Sequence, residues 1–187
     1  MTQTGPTLTD HMATPSSGPP PPEAPQDRPF PTDGDGDGAR AAVLALGADR
    51  CSIAGTLEAL GDTWSILVLR ELFFGVRRFN DLQRDLGISR SVLSARLARL
   101  VELGVVRVVP YQEPGDRARN EYRLTRKGVD LLPVMVSLMS WGDRHVNDGD
   151  GPIRLHDRET GEIVGLELRT PSGRAVAPHE MEPRVNR

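Results

Sequence analysis

Apolar positions recur at helical spacing through the middle of the chain and alternate only in short runs. In 87–104, Leu93, Leu97 and Leu100 fall on one helical face, flanked by Val101 and Leu103. Ser91, Ala95, Ala98 and Glu102 point the opposite way, with Ser94 and Arg99 at the sides. Ser89 is suited to cap this helix, because its hydroxyl can accept from an otherwise unpaired backbone N–H. Gly87 and Gly104 are suited to end the helix before it and the helix itself. Upstream, Phe79, Leu82 and Leu86 mark a short helix, so 79–103 reads as helix-turn-helix across a tight Leu86-Gly87-Ile88-Ser89 turn. Downstream, the β-branched run 105–109 and a second run at 121–124 predict a hairpin around a polar loop, in which Pro114 and Gly115 favour a turn. Helix-turn-helix followed by a hairpin is the plan of a winged helix. The expected fold class is α+β, mainly helical.

The flanking pattern adds helices at both ends. Residues 51–60 predict a helix with Ile53, Leu57 and Leu60 inward, ended by Gly61. Asp62 or Thr63 should cap the next helix, which runs through Phe74 and is apolar nearly all round, as befits the centre of a domain. Thr125 should cap one long helix over 126–145, bent at Pro133. Its stripe of Val129, Leu132, Val136 and Met139 is broadened by Leu131, Met135, Leu138 and Trp141. That is more apolar surface than a single domain needs, so part of it should meet a partner subunit. A short helix is expected at 41–46. After a Gly/Asp linker, 153–157 and 162–169 alternate and should pair about a turn at 159–161, while 171–187 reads as loose. The resulting domains are a Pro/Gly-rich tail (1–40), a winged-helix domain (41–147) and an extension (148–187).

Composition changes this picture in three ways. Residues 1–40 are poor in large apolar side chains and rich in proline, so they should be disordered, with 19–22 locally in polyproline II. The Asp-Gly repeat at 33–38 lacks the carboxylate that a calcium loop needs at its twelfth position, which is Leu44. The net charge of -3 hides an uneven distribution: -4 over 1–50, +3 over 51–145 and -2 over 146–187. Only the expected folded core is basic, as a nucleic-acid contact requires. The single cysteine allows no intramolecular disulfide, and no apolar run could span a bilayer, so the expected setting is cytoplasmic.

The exposed first turn of the 89–103 helix is small, hydroxylated and cationic, which suits a helix lying deep in a major groove. Ser89, Arg90, Ser91 and Ser94 are the candidate base readers, and Arg96, turned partly toward the core, a candidate phosphate contact. Arg77 and Arg78 precede the unit and are candidates to clamp phosphate; surface solvation is the competing reading. Arg117 and Arg119 lie near the expected wing tip, where they suit the backbone or minor groove.

These residues resemble the HxlR-type transcription regulators, winged-helix proteins related to the MarR group. The resemblance runs through Cys51, Thr56-Leu57, Gly61, Trp64, Leu69-Arg70-Glu71-Leu72, Gly75 and Arg78-Phe79. It continues through Leu82, Gly87-Ile88-Ser89, Leu93, Arg96-Leu97, Leu100 and Gly104, and then Tyr111, Arg119, Glu121-Tyr122, Leu124-Thr125, Gly128, Leu132-Pro133-Val134 and Trp141. It implies a homodimer, joined by the first and last helices of the domain, on a pseudo-palindromic duplex with half-sites about 34 Å apart. It also implies that Cys51 is the family's N-terminal cysteine, which senses oxidants or electrophiles in some members. Ser52 stands where the family often has proline, and Arg117-Ala118 replaces the usual twin prolines of the wing. Some longer relatives carry a cysteine-bearing ribbon after the last helix; with no cysteine in 153–176, no structural zinc is expected, and no cofactor.

Other readings compete. Cys51 is either a redox sensor at a helix start or a small buried hydrophobe. Trp64, Phe73, Phe74 and Trp141 are either core or the walls of an apolar effector pocket. A winged helix can also serve protein contact alone. Enzyme activity is not expected, because His11, His145, His156 and His179 lie in separate segments, none beside a nucleophile.

Overall fold

The computed structural model describes residues 50–115 and 117–184, together with Ala45 and Gly47. The expectations for 1–40 and, Ala45 apart, for 41–46 therefore fall outside the described residues. Helix α1 spans Ser52–Leu60, α2 Thr63–Phe73, α3 Phe79–Leu86 and α4 Arg90–Glu102. Strands β1 (Val106–Tyr111) and β2 (Arg119–Leu124) follow, then α5 (Arg126–Val129) and α6 (Leu132–His145).

Local chemistry sets these boundaries. The Ser65 N–H donates to the Asp62 carboxylate (3.1 Å), so Asp62 rather than Thr63 caps α2. Gly87 ends α3 in the left-handed region (φ 64°), which a side chain disfavours. Val68, Leu69 and Leu72 of α2 meet Leu82 of α3 and Leu93, Leu97 and Leu100 of α4 in one core. Val105 and Val106 close it from the wing side.

The wing strands are antiparallel, with Val106 opposite Leu124 and Tyr111 opposite Arg119. A third segment joins them: the Tyr122 N–H donates to the Arg77 carbonyl (2.8 Å), and Arg78 bridges Glu121. This leaves β1 on the sheet edge, where Pro110, lacking an N–H, is tolerated.

Several expectations are corrected. Ile53 and Leu57 do not point inward: they are 73% and 63% exposed, and of α1 only Leu60 is buried. The single helix at 126–145 is two helices, separated at Asp130-Leu131. Pro133 lies in the first turn of α6, where its missing N–H removes no helical bond, so it starts a helix rather than bending one. The expected pairing of 153–157 with 162–169 is reduced to one bridge, His156 to Ile163, around the 157–161 turn. Of the stretch expected to be loose, the described part is ordered by contacts: Arg169 bridges Ala175, the Val176 N–H donates to the Leu168 carbonyl (2.8 Å), and a 3-10 turn forms at Pro178–Glu180. Among the described residues no helix is long and apolar enough to cross a membrane.

Candidate nucleic-acid interface

The candidate interface begins with how α4 is held. Its apolar stripe anchors it to α2, and Leu93 and Leu100 have no exposed surface. The opposite face carries Ser91, Ser94, Ala95 and Ala98, all exposed. At its start the Val92 N–H donates to Ser89 Oγ (3.3 Å), and the Ser89 and Ser91 hydroxyls lie 3.0 Å apart. Ser89 is therefore the expected cap, and the cap is linked to the neighbouring hydroxyl.

The arginines divide by their partners. Arg90 is exposed, and its guanidinium carbon lies 4.8 Å from the centre of the Phe79 ring. Arg96 is turned back, and its guanidinium pairs with Asp62 rather than projecting outward. The reason is its place beside the Leu93–Leu97 stripe, which brings it to the capped end of α2. A free phosphate clamp at Arg96 is therefore not what the fold provides. Arg78 pairs with Glu113 of the wing loop and lies over Tyr111, 4.8 Å from the ring centre. Its hydrogen bond with Glu113, then the charge of that carboxylate, raises its pKa, so it stays a cation. Arg77 is exposed and contributes its carbonyl to the wing sheet. Arg117 is exposed in the loop, and Arg119 opens β2, so it lies within the paired strand rather than at the tip.

Two features escape sequence reading. Glu113 is the carboxylate that holds Arg78, thirty-five positions apart, so no local pattern signals it. Phe79 shows in the sequence only as a core position, whereas its ring also faces Arg90.

The four aromatic residues expected to wall one apolar pocket do not come together. A cavity of about 530 Å³ opens between α2, α6 and the start of the extension. Phe73 and Phe74 line it, with Ile66, Met135, Val136, Met139, Ile153 and Leu155. Trp64 and Trp141 are not in its wall; Trp141 packs on His145 instead, with ring centres 5.1 Å apart. Cys51, exposed, stands at the N-cap position of α1 and makes no side-chain cap bond. Among the described residues no group of three or more His, Cys, Asp or Glu could hold a metal ion.

Comparison with known proteins agrees with this geometry. Residues 59–150 match the HxlR-like helix-turn-helix family model. The HTH-type transcriptional regulator MT3179 of Mycobacterium tuberculosis, itself uncharacterized, is 50% identical over 118 residues, covering 63% of this chain and 73% of that protein. The uncharacterized HTH-type regulator sll1512 of Synechocystis is 39% identical over 93 residues, covering 49% of this chain and 67% of that one. The crystal structure of PA1607, a candidate transcription factor, is 35% identical with a TM-score of 0.64, covering 76% of this chain and 99% of that one. A capped, basic-ended helix, a hairpin wing and these relatives agree: the chain belongs to the HxlR-like helix-turn-helix family of DNA-binding transcription regulators.

Proposed function

We propose that the protein works as a homodimer on a pseudo-palindromic operator, with one α4 in each of two successive major grooves. The observation that carries the dimer is the bare apolar surface on the two terminal helices. Ile53 and Leu57 of α1 and Val134, Leu138 and Trp141 of α6 are 46–73% exposed, which a lone subunit gains nothing by displaying. Ser89, Arg90, Ser91 and Ser94 read base edges, while Arg77, Arg78, Arg117 and Arg119 meet the backbone. The 41–147 domain carries both activities; the 1–40 tail and the 148–187 extension are appendages to it. The protein's role is regulatory rather than enzymatic, and it acts in the cytoplasm.

Selection from a random duplex library, with light scattering on the same sample, tests this reading. An inverted repeat with half-sites about 34 Å apart, bound by two chains, is expected. A monomer at micromolar concentration, or a single unrepeated half-site, overturns the dimer.

A second reading concerns control. The cavity at the α2–α6 junction has the volume of a small-molecule site and apolar walls, so an apolar effector is a candidate to modulate DNA binding. The exposed Cys51 at the start of α1 is the alternative trigger, because a helix N-terminus favours a thiolate. A compound that raises the melting temperature of Cys51→Ser as much as wild type supports the cavity. Sensitivity to diamide that disappears in Cys51→Ser supports the thiol.

A further inference from the structure

The three arginines of α4 are held in different ways. Arg96 is paired with Asp62, and Arg99 donates to Glu102 (Nη1 to Oε2, 3.1 Å). Arg90, at the first helical position, has no carboxylate partner among the described residues; its guanidinium lies over the Phe79 ring instead.

The chemical difference between these partners matters for recognition. A carboxylate occupies the N–H donors of the guanidinium that it binds. A ring face attracts the cation through its quadrupole and takes none of the strong donors. Arg90 is thus positioned while its planar fork of donors stays available. That fork matches O6 and N7 of guanine, two acceptors side by side on one base edge in the major groove.

The surroundings support the same role. The Ser89 and Ser91 hydroxyls lie 3.0 Å apart and Ser89 also caps the helix, so these short side chains meet only base edges that the helix itself approaches. Arg90 is the long side chain left to reach out. Phe79 has a firm seat, half-buried against the core at the start of α3. The ring therefore belongs to one helix of the helix-turn-helix and the arginine to the other.

We propose that Phe79 is a specificity-positioning residue, holding Arg90 in place for bidentate recognition of a guanine in each half-site. This rests on the reading that α4 enters the major groove. Without the ring, Arg90 must be ordered at the moment of binding, and selectivity falls at that base alone.

The test uses the full chain, selection from a random duplex library, and competition between half-sites carrying guanine or adenine at the enriched position. Wild type is expected to select guanine at one position per half-site, and Arg90→Ala to lose that preference. Phe79→Leu and Phe79→Met keep an apolar side chain but remove the ring. They should reduce the preference by about two- to five-fold, the factor supplied by an exposed cation–π contact. The slope of affinity against salt should not change, because no phosphate contact is lost. Phe79→Tyr, which keeps the ring face, should retain the preference. Two ring-free variants guard against one failing to fold, and circular dichroism identifies a variant that does.

Wild-type selectivity in a folded ring-free variant, or an equal loss on every sequence, overturns the role of Phe79 while leaving Arg90 as the reader. An Arg90→Ala protein that still selects guanine overturns the underlying assignment of Arg90 instead.

Discussion

Gly128→Ala should destabilise the protein, although alanine is the better helix former. Gly128 is buried in α5, and a Cβ there would lie 2.3 Å from the Val105 carbonyl oxygen, with Leu124 Cδ2 at 3.0 Å. Contacts under 3.0 Å essentially do not occur, so one of the two backbones must retreat by at least about 0.7 Å. The carbonyl is poorly placed to yield. It accepts the Thr125 N–H (3.0 Å), while the Thr125 hydroxyl holds the adjacent Gly104 carbonyl (2.6 Å), and Val105 is itself buried. Overpacking of this kind costs about 1–3 kcal/mol. A weakened hydrogen bond adds about 0.5–1.5 kcal/mol. Alanine returns at most about 1 kcal/mol of helix propensity, and less in a helix of one turn. The net expectation is a loss of roughly 1–3 kcal/mol, or a melting temperature lower by about 5–15 °C for a domain of this size. Urea unfolding followed by the fluorescence of Trp64 and Trp141 reads it. A variant as stable as wild type would show that α5 and the start of the wing slide past each other freely, and the reasoning would fail.

Glu113→Gln should tighten DNA binding and steepen the salt dependence by about one counterion, because Arg78 would then meet phosphate without first leaving a carboxylate; an unchanged slope would sink that role. Since both side chains are about half exposed, the same substitution should barely alter stability. Asp62→Ala removes both the cap of α2 and the partner of Arg96, and should cost about 1–2 kcal/mol in urea titration. Asp62→Asn keeps the cap and should cost less; equal losses would mean that the ion pair dominates. In the extension, hydrogen bonds from the Thr160 and Glu159 N–H groups hold the Asp157 carboxyl below its usual range. A carboxyl whose pKa is lowered by folding stabilises the turn fully above the unfolded value of about 4 and loses that contribution as pH falls through the lowered one. Amide exchange at Glu159 and Thr160, corrected for its intrinsic pH dependence, should therefore accelerate on acidification; protection unchanged from neutral to strongly acidic pH would contradict it.

The sequence reveals those parts of the fold whose causes lie within a few residues. Ser89 as a cap, Gly87 as a stop and the Leu93, Leu97 and Leu100 stripe are local signals, and α3 and α4 form where they point. What escaped reading depends on distant or missing partners. Pro133 fits either a bend or a first turn, and the break at Asp130-Leu131 that makes it a first-turn residue leaves no mark in the apolar spacing. Ile53 and Leu57 repeat at core spacing, yet helical spacing records that a face is apolar and not which chain covers it. The same holds for the site. Residue type marked Arg78, Arg90 and Arg96 alike, while their partners (Glu113, Phe79 and Asp62) come from other elements. Aromatic residues near α6 suggested a pocket, but Trp141 turns away to His145 and the cavity forms beside it.

The bond from Tyr122 to the carbonyl of Arg77 bears on how this lineage can vary. It fixes β2 from the side opposite β1, so the hairpin cannot shift by one residue without breaking that bond and exchanging its inward and outward faces. Glu121 would leave its buried place, and its neighbour Asn120 or Tyr122 would enter it. Insertions and deletions are therefore confined to the loop at 112–118, which the anchored strands do not constrain. Descendants can lengthen or shorten their reach along the duplex there, while Arg78 keeps its place in the sheet.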